Sequence, residues 1–308
     1  MKNVINFNYN MDIDNIKDDN EIYTFVYENY TYYFVPYYRN EKDIDYLIII
    51  GNELKSSGIN LHNIVLNREG KYLTYYNNKK YALLRINEDE KIEYNIKDII
   101  KFNRAKKIND NYAKSYHNNW CELWSEKIDY MEYQIHELGK NKNVILDSFS
   151  YYVGLGENAI AYANVINKNF NDGYINDIAI THRRIYVPNY NLNFYNPLSL
   201  HIDLEVRDIA EYLKSLFFCN EELALSNLQY YLTTKIFSSY SLGMLYARLL
   251  FPTYYFDIYE KVILNEESEE KLLDVIKKNE SYEKFLKDAY LEITKYTKLP
   301  KINWLIKK

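Results

Sequence analysis

The segment Ile180-Thr181-His182-Arg183-Arg184-Ile185-Tyr186-Val187-Pro188-Asn189 decides the fold of this chain, together with Leu200-His201-Ile202-Asp203-Leu204-Glu205-Val206-Arg207-Asp208. In the first segment, a histidine and an asparagine stand seven residues apart in a short polar loop. In the second, an apolar run typical of a strand ends in two acidic residues, and an Arg-Asp pair opens a helix. This concentration of polar side chains between apolar positions makes the two segments the candidate functional site.

The chain before this site predicts a small antiparallel β-sheet with one helix. Runs of β-branched and aromatic residues predict strands, and turn residues separate them. The helix at residues 43–57 is closed by Gly58, a suitable residue for the position after a helix end. Strands are predicted at residues 22–27, 31–35, 64–66, 71–76 and 81–86.

A polar stretch at residues 87–90 predicts a hinge, and helical periodicity dominates the chain after it. In residues 207–218, for example, the apolar side chains fall at helical spacing and form one stripe. We therefore expect an α+β protein with an N-lobe at residues 1–88 and a helical C-lobe at residues 89–308. Helices are predicted at residues 94–107, 120–138, 144–152, 207–218, 221–237, 242–250, 266–278 and 282–297.

The composition argues for a folded protein without a nucleic-acid partner. Hydrophobic residues make up 47% of the 308, which is enough for a substantial core. The formal net charge is −5, whereas binding to a phosphate backbone needs a concentrated basic surface. The 36 tyrosines share AT-rich codons with the abundant Asn, Lys and Ile, so an AT-rich genome explains their number.

No membrane partner is expected. The N-terminus lacks the continuous apolar run of a signal peptide. The most apolar stretch, residues 240–259, is interrupted by Arg248, Pro252 and Asp257, which favours a buried helix followed by a break. Cys121 and Cys219 have no companions at metal-ligand spacing, and we interpret them as buried thiols in a reducing compartment. These features predict a soluble, intracellular protein.

The candidate site resembles the catalytic loop of the aminoglycoside-phosphotransferase-like kinases. In that family a loop of the form H-G-D-x-x-x-x-N precedes a strand ending in I-D-x-E, and a helix opening with R-D follows. His182, Asn189 and Asp203 match the first His, the Asn and the second Asp. The resemblance implies a two-lobed, protein-kinase-like fold, with Asn189 and Asp203 holding Mg²⁺ against the phosphates of ATP. It also implies that His182 organises the loop by hydrogen bonding.

Three expected catalytic features differ from the family pattern. Arg184 stands at the position of the proton-accepting Asp, and a guanidinium has no acceptor, so it cannot act as a base. It could instead pair with Asp203 in competition with Mg²⁺. Tyr37 stands about where the phosphate-binding lysine is expected, and Glu53 is the usual partner of that lysine. Residues 21–50 contain no glycine, so no Gly-rich loop can bring backbone amides close to phosphates.

Within this fold the chain resembles the spore-coat-associated branch, the CotS/YutH-type proteins of endospore-forming Firmicutes. The resemblance covers nearly the whole chain and is carried by residues 152–160, 246–252 and 299–305. It implies other spore-coat proteins as partners. It also implies a location in the mother-cell cytoplasm, with incorporation into the spore coat.

The leading hypothesis is a catalytically degenerate kinase-like protein, a pseudokinase, that acts as a scaffold or assembly factor in spore-coat formation. No cofactor is then expected. One alternative is a divergent small-molecule phosphotransferase that uses Mg²⁺ and ATP and keeps Asn189 and Asp203 for the metal. The other is a nucleotide-binding regulatory module without phosphoryl transfer.

Simpler structural roles stay open for several of these residues. Asn189 follows a proline and fits an ordinary turn. Asp203 could satisfy loop amides and Arg184 rather than a metal. Gly154-Leu155-Gly156 is better explained by a helix break or close packing than by a nucleotide motif. Trp120 and Trp124 are interpreted as core residues.

Overall fold

The structure, a computed structural model, describes residues 1–19, 21–86, 94–108, 116, 118–170, 173–185 and 194–306. The chain divides into two units, Met1–Lys107 with His182–His201, and Ile108–Thr181 with Ile202–Lys308. The predicted hinge at residues 87–90 lies outside the described residues, so the lobe boundary at residue 88 stays a prediction. The first unit contains the N-terminal sheet and also part of the candidate site.

The strands of the first unit form one antiparallel sheet. They are β1 (Lys17–Asp19), β2 (Ile22–Tyr27), β3 (Tyr30–Pro36), β4 (Asn63–Val65), β5 (Thr74–Tyr76) and β6 (Lys79–Arg85). Their order is β1-β2-β3-β6-β4, and β5 pairs with β6. The helices of this unit are α1 (Lys2–Tyr9), α2 (Asp43–Ser56) and α3 (Ile96–Asn103).

Two tight turns fix the register of this sheet. Glu28 and Asn29 join β2 to β3 with φ of 49° and 68°, and Asn77 and Asn78 join β5 to β6 with φ of 46° and 60°. Positive φ at both central residues is the geometry of the two-residue turn whose twist matches that of the flanking strands. Gly58, at φ +83°, takes the left-handed conformation expected after α2.

Helix α1 covers one face of this sheet and was absent from the sequence prediction. It is short, and its buried side chains are Ile5 and Tyr9, four residues apart. Tyr9 also reaches Thr74, with the two hydroxyl oxygens 3.0 Å apart. The cluster that α1 completes consists of Ile5, Tyr9, Ile13, Phe25, Tyr32, Phe34, Tyr81 and Leu83.

The second unit is mostly helical, as the sequence predicts. The chain passes between the two units within a short pair of strands, β7 (Ile178–His182) and β8 (Leu200–Leu204), of which residues 178–181 and 202–204 belong to the second unit. The helices are α4 (Trp120–Leu138), α5 (Asn143–Asn169), α6 (Val206–Cys219), α7 (Glu221–Leu232), α8 (Ser239–Leu250), α9 (Thr253–Ile263), α10 (Glu270–Ile276), α11 (Asn279–Ile293) and α12 (Asn303–Ile306). The α+β class, with an antiparallel N-terminal sheet and a helical remainder, is confirmed.

The structure distinguishes a helix break from close packing at Gly154 and Gly156, the two explanations that the sequence left open. The helix continues through Gly154 and Gly156, so the predicted end at residue 152 is wrong and there is no helix break. A Cβ added at Gly156 would lie 2.9 Å from Cδ1 of Ile128, whereas one at Gly154 would meet no atom within 4 Å. Close packing therefore explains Gly156, where α5 approaches α4.

The remaining differences concern helix ends and one cysteine. Helix α8 ends at Leu250 before Pro252, as expected, but a further helix, α9, begins at Thr253. Cys121 is partly buried, whereas Cys219 is exposed because it ends α6 at the surface, so the prediction of a buried thiol is wrong there. None of the helices in the described residues is long and apolar enough to cross a membrane.

Candidate functional site

His182 ends β7 and is buried, with 1% of its surface exposed. Its Nε2 lies 2.9 Å from the carbonyl oxygen of Phe194, and because a carbonyl only accepts, Nε2 donates. The imidazole packs on the rings of Phe102 and Phe194, with centroids 4.3 and 4.9 Å away. His182 thus ties the start of the loop segment to its end, which supports the organising role that the resemblance implies.

The residues after His182 are described only in part. The backbone N–H of Arg183 donates to the carbonyl oxygen of Ser199 at 2.8 Å. Arg184 is partly buried and belongs to the first unit, whereas Asp203 belongs to the second. Asn189 lies outside the described residues. The pair of Arg184 with Asp203, and a metal ligand at Asn189, therefore stay predictions.

Tyr37 directly follows β3 and is buried, with 3% exposed. Its backbone N–H donates to the carbonyl of Lys80 at 2.7 Å, and its hydroxyl donates to the carbonyl of Asn40 at 3.0 Å. Burial raises the pKa of this hydroxyl, so it stays a neutral donor. The ammonium of Lys80 lies 5.6 Å from the ring centre of Tyr37 and donates to the carbonyl of Arg39 at 2.9 Å. The Tyr37 hydroxyl is therefore used within its own turn.

Glu53 lies on an exposed position of α2, between the exposed Asn52 and the buried Leu54. Helix α2 buries the side that carries Ile50 and Leu54, and the exposed Glu53 is not among its buried residues. The nucleotide-binding roles of Tyr37 and Glu53 stay predictions.

Asp203, in β8, is buried with 1% exposed, and its carboxylate accepts four hydrogen bonds from the chain. Oδ1 accepts from the hydroxyl of Tyr116 at 2.9 Å and from the N–H of Leu204 at 2.7 Å. Oδ2 accepts from Nε1 of Trp120 at 3.0 Å and from the guanidinium of Arg207 at 2.6 Å. Burial, and then the charge of Asp203, hold the pKa of Tyr116 well above its ordinary value, so Tyr116 stays protonated as a donor.

These contacts bear on whether Asp203 fits a metal ion. A carboxylate offers about four lone-pair sites, and the chain supplies a donor to each oxygen twice. One of those donors is the guanidinium of Arg207 at 2.6 Å, a cation that balances the charge of the carboxylate. In this arrangement the chain itself occupies the Asp203 carboxylate, which argues against a bound metal, and the metal-binding role of Asp203 stays a prediction. Within the described ranges, no group of three His, Cys, Asp or Glu side chains is placed to hold a metal ion.

A buried ionic network lies behind Trp120. The guanidinium of Arg248 lies 4.4 Å from the ring centre of Trp120, and its Nε donates to Glu211 at 2.8 Å. Lys214 donates to Glu211 at 2.9 Å and to the hydroxyl of Thr253 at 2.7 Å. Burial lowers the pKa of Lys214 to about 8. Because its donors are paired, this network holds the indole that donates to Asp203 in one orientation.

A second buried ion cluster includes Glu205, the residue that directly follows β8. Lys235 contacts Asp177 at 2.9 Å and Glu205 at 2.8 Å, and both carboxylates are at least 95% buried. Burial alone would raise the pKa of Asp177. Hydrogen bonds from Ser238 and Ser241 and the charge of Lys235 outweigh burial and hold that pKa below its ordinary value.

The partners of Asp203 are residues that the sequence pattern did not mark as functional. Trp120 was expected in the core, and it is buried there, but its N–H also serves the carboxylate. Arg207 was taken only as the start of a helix. The spacing of Asp203 and Arg207, four residues apart at the entry to α6, was the available signal. Nothing in the sequence indicates Tyr116, because it is 87 residues away from Asp203.

The fold defines the class of protein to which the chain belongs. An aminoglycoside phosphotransferase from Alicyclobacillus acidocaldarius subsp. acidocaldarius DSM 446 is similar at a TM-score of 0.63 and 9% identity, over 96% of both chains. The AMP-bound complex of spectinomycin phosphotransferase APH(9)-Ia is similar at a TM-score of 0.60 and 12% identity, over 94% of this chain and 96% of that one. The chain therefore has the kinase-like fold of the aminoglycoside phosphotransferases.

The particular family follows from sequence comparison. The chain belongs to the family described as "Spore coat putative kinase YutH", whose profile matches residues 2–289. The endospore coat-associated protein YutH of Bacillus subtilis (strain 168) is 30% identical over 210 residues, which span 60% of this chain and 61% of that protein. The resemblance to the spore-coat branch is confirmed.

Proposed function

We propose that this chain is a pseudokinase of the spore coat, which keeps the kinase-like fold and uses it as a scaffold or assembly factor. The observation that carries the proposal is the occupation of the Asp203 carboxylate by Tyr116, Trp120, Leu204 and Arg207. A carboxylate that must bind a metal in each catalytic cycle needs an accessible oxygen, whereas one that accepts four internal bonds stabilises the fold.

Two substitutions support the same proposal. Arg184 stands in place of the proton-accepting Asp and cannot take a proton from an acceptor hydroxyl. Tyr37 stands about where a lysine would bind phosphates, and its buried hydroxyl donates within its own turn. The loss of base, lysine and metal ligand together leaves a fold with its usual chemistry removed.

Nucleotide binding gives the direct test. Thermal unfolding is followed with Mg²⁺ and ATP, with ATP and EDTA, and with neither, at constant ionic strength. A ligand present at 100 times its Kd stabilises a protein by about 2.7 kcal/mol, which such a scan resolves. We expect no saturable stabilisation that depends on Mg²⁺, and a stabilisation of that size would overturn the proposal.

The second candidate function is phosphoryl transfer from Mg²⁺-ATP to a small molecule. Spectinomycin phosphotransferase, one of the similar solved structures, has been solved with ADP and with AMP, which favours this candidate. It requires Arg207 to release Asp203 when nucleotide and metal arrive. Single-turnover transfer to a panel of hydroxyl and amine acceptors tests it. Asp203→Asn must abolish any transfer, and Asp274→Asn, an exposed carboxylate, must leave it unchanged.

A regulatory module that binds nucleotide without transfer is the third candidate. It predicts saturable stabilisation by ATP together with no transfer in the same panel, so the two assays separate all three functions.

The partners and location in this proposal are other spore-coat proteins and the mother-cell cytoplasm, followed by incorporation into the coat. The family and the YutH relative support this, since both descriptions name the spore coat. A tagged chain in sporulating cells should move from the mother-cell extract into the coat fraction. Recovery from the extract alone, after the coat is complete, would contradict this location.

A further inference from the structure

A small pocket of the first unit, whose lining does not include the candidate residues Tyr37 and Glu53, carries an unbalanced positive charge. Its volume is about 150 Å³, and it lies between α2 and β4. The polar side chains that border it include Asn52 and Lys55 from α2, His62 and Asn63 at β4, and Tyr72. An adjoining pocket of about 370 Å³ shares Lys55 and Asn63 with it. Among the residues that the structure describes, neither lining contains an Asp or a Glu.

Lys55 is the charged group of this pocket. Its ammonium is partly buried and donates to the side-chain oxygen of Asn63 at 2.6 Å. Among the residues that the structure describes, Lys55 forms no ion pair. Burial lowers the pKa of Lys55, and the charge of Arg85, which faces Asn63 across β4 and β6, lowers it further. A partly desolvated ammonium beside a second cation is an unfavourable arrangement until an anion balances it.

The size of the pocket limits what the anion can be. A water molecule occupies about 30 Å³ in the liquid, so the pocket holds roughly five waters. That space suits one phosphate or carboxylate group and is below the 300–1,000 Å³ or so of pockets that enclose a drug-sized ligand. A larger molecule could reach the adjoining pocket, because Lys55 and Asn63 border both.

We propose that this pocket binds a small oxyanion through the Lys55 ammonium, with Asn52 and Tyr72 as further hydrogen-bond donors. The ligand is either a free phosphate or carboxylate ion, or the same group at the end of a small metabolite. The site does not depend on whether the chain transfers phosphate. Lys55 also has an alternative, purely structural explanation. It lies in the last turn of α2, where a positive charge stabilises the negative end of the helix dipole.

Binding is tested with sodium phosphate, glycerol 3-phosphate and sodium acetate, each at constant ionic strength set by sodium chloride. Phosphorus NMR line broadening measures the binding of the two phosphates, and thermal unfolding measures all three anions. We expect saturable binding in the millimolar range, and a charge-assisted contact implies that Lys55→Met weakens it by roughly tenfold or more. Glycerol 3-phosphate binding more tightly than phosphate would identify an esterified ligand that uses the adjoining pocket.

The matched control is Lys42→Met, which removes an exposed charge before the same helix and should bind like the parent chain. Without anion, Lys55→Met should unfold at the same temperature as the parent or higher, because it removes an unbalanced charge. This readout shows that the variant folds. The proposal is wrong if Lys55→Met keeps the anion response, or if the parent chain shows no saturable response to any of the three anions.

Discussion

Replacing Asp203 with alanine distinguishes a structural carboxylate from a catalytic one. The substitution leaves the hydroxyl of Tyr116, the indole N–H of Trp120 and the guanidinium of Arg207 without the acceptor that they share. Asp203 itself is 1% exposed, so water replaces the carboxylate only if the surroundings rearrange. The lost contacts thus include one buried ion pair and two further donors.

The magnitude follows from the burial of each partner. Removing one member of a buried ion pair typically costs about 3–5 kcal/mol, because the other charge stays buried and uncompensated. The side chain of Arg207 is 15% exposed and so retains some solvent, which places the expected loss near 3 kcal/mol, at the lower end of that range. A carboxylate kept only for catalysis behaves oppositely, because replacing functional residues often leaves stability unchanged or raises it.

Urea unfolding followed by tryptophan fluorescence measures this loss, with circular dichroism as a second probe of the same transition. Asp203→Asn keeps an acceptor but removes the charge, so its loss of stability should fall between the parent chain and Asp203→Ala. The control is Asp274→Ala, since Asp274 and its partner Lys277 are 81% and 72% exposed, and its unfolding should match the parent. A loss below about 1 kcal/mol for Asp203→Ala would refute the structural interpretation.

Four further predictions concern the second unit. Lys235→Met removes the ammonium that pairs with the buried carboxylates of Asp177 and Glu205. The free energy of unfolding in urea titrations should therefore fall by about 3–5 kcal/mol. A change within experimental error would contradict a stabilising role of this ion cluster. The lowered pKa of Asp177 adds folding stability that is complete above the unfolded pKa of about 3.9 and is lost as the pH falls through the lower folded pKa. The free energy of unfolding, measured by urea titration at neutral and acidic pH, should therefore decline at acidic pH. In Lys235→Met this decline should be smaller. Gly154→Ala should raise the free energy of unfolding by about 0.5–1 kcal/mol, because a Cβ there meets open space in a helix. Gly243→Ala should lower the melting temperature instead, because its Cβ would lie 2.6–2.9 Å from three side-chain atoms of the buried Ile166. If both glycine variants stabilised the protein, Ile166 would have to move at little cost, which would contradict this prediction.

The candidate site could be located from the sequence but not interpreted from it. The resemblance carried by His182, Asn189 and Asp203 placed the segment in a kinase-like fold, with Arg184 at the position of the expected base. The partners of Asp203 were out of reach, because Tyr116 and Trp120 come from a distant part of the chain. Hydrogen bonds between residues more than eighty positions apart leave no periodic signal in a single sequence.

Secondary structure was likewise predictable where local sequence decides it and not where tertiary packing does. The helix at residues 120–138 was predicted with its observed ends, because its apolar spacing is regular and turn residues flank it. Helix α5 was predicted to end at residue 152 because two glycines follow, and glycine disfavours helix by local propensity. Packing against Ile128 of α4 overrides that propensity at Gly156, and only the assembled helices contain that contact.

The sequence by itself therefore determined the class of fold, the spore-coat family and the presence of Arg184 where the family pattern has an Asp. These properties depend on local pattern and on residue identity, which a sequence states directly. Only the tertiary structure showed which donors surround the Asp203 carboxylate, which is 1% exposed. It also showed that Lys55 borders a small pocket to which no acidic side chain of the described residues contributes. Burial and charge balance are properties of the whole neighbourhood of a residue, and folding brings that neighbourhood together from distant parts of the chain.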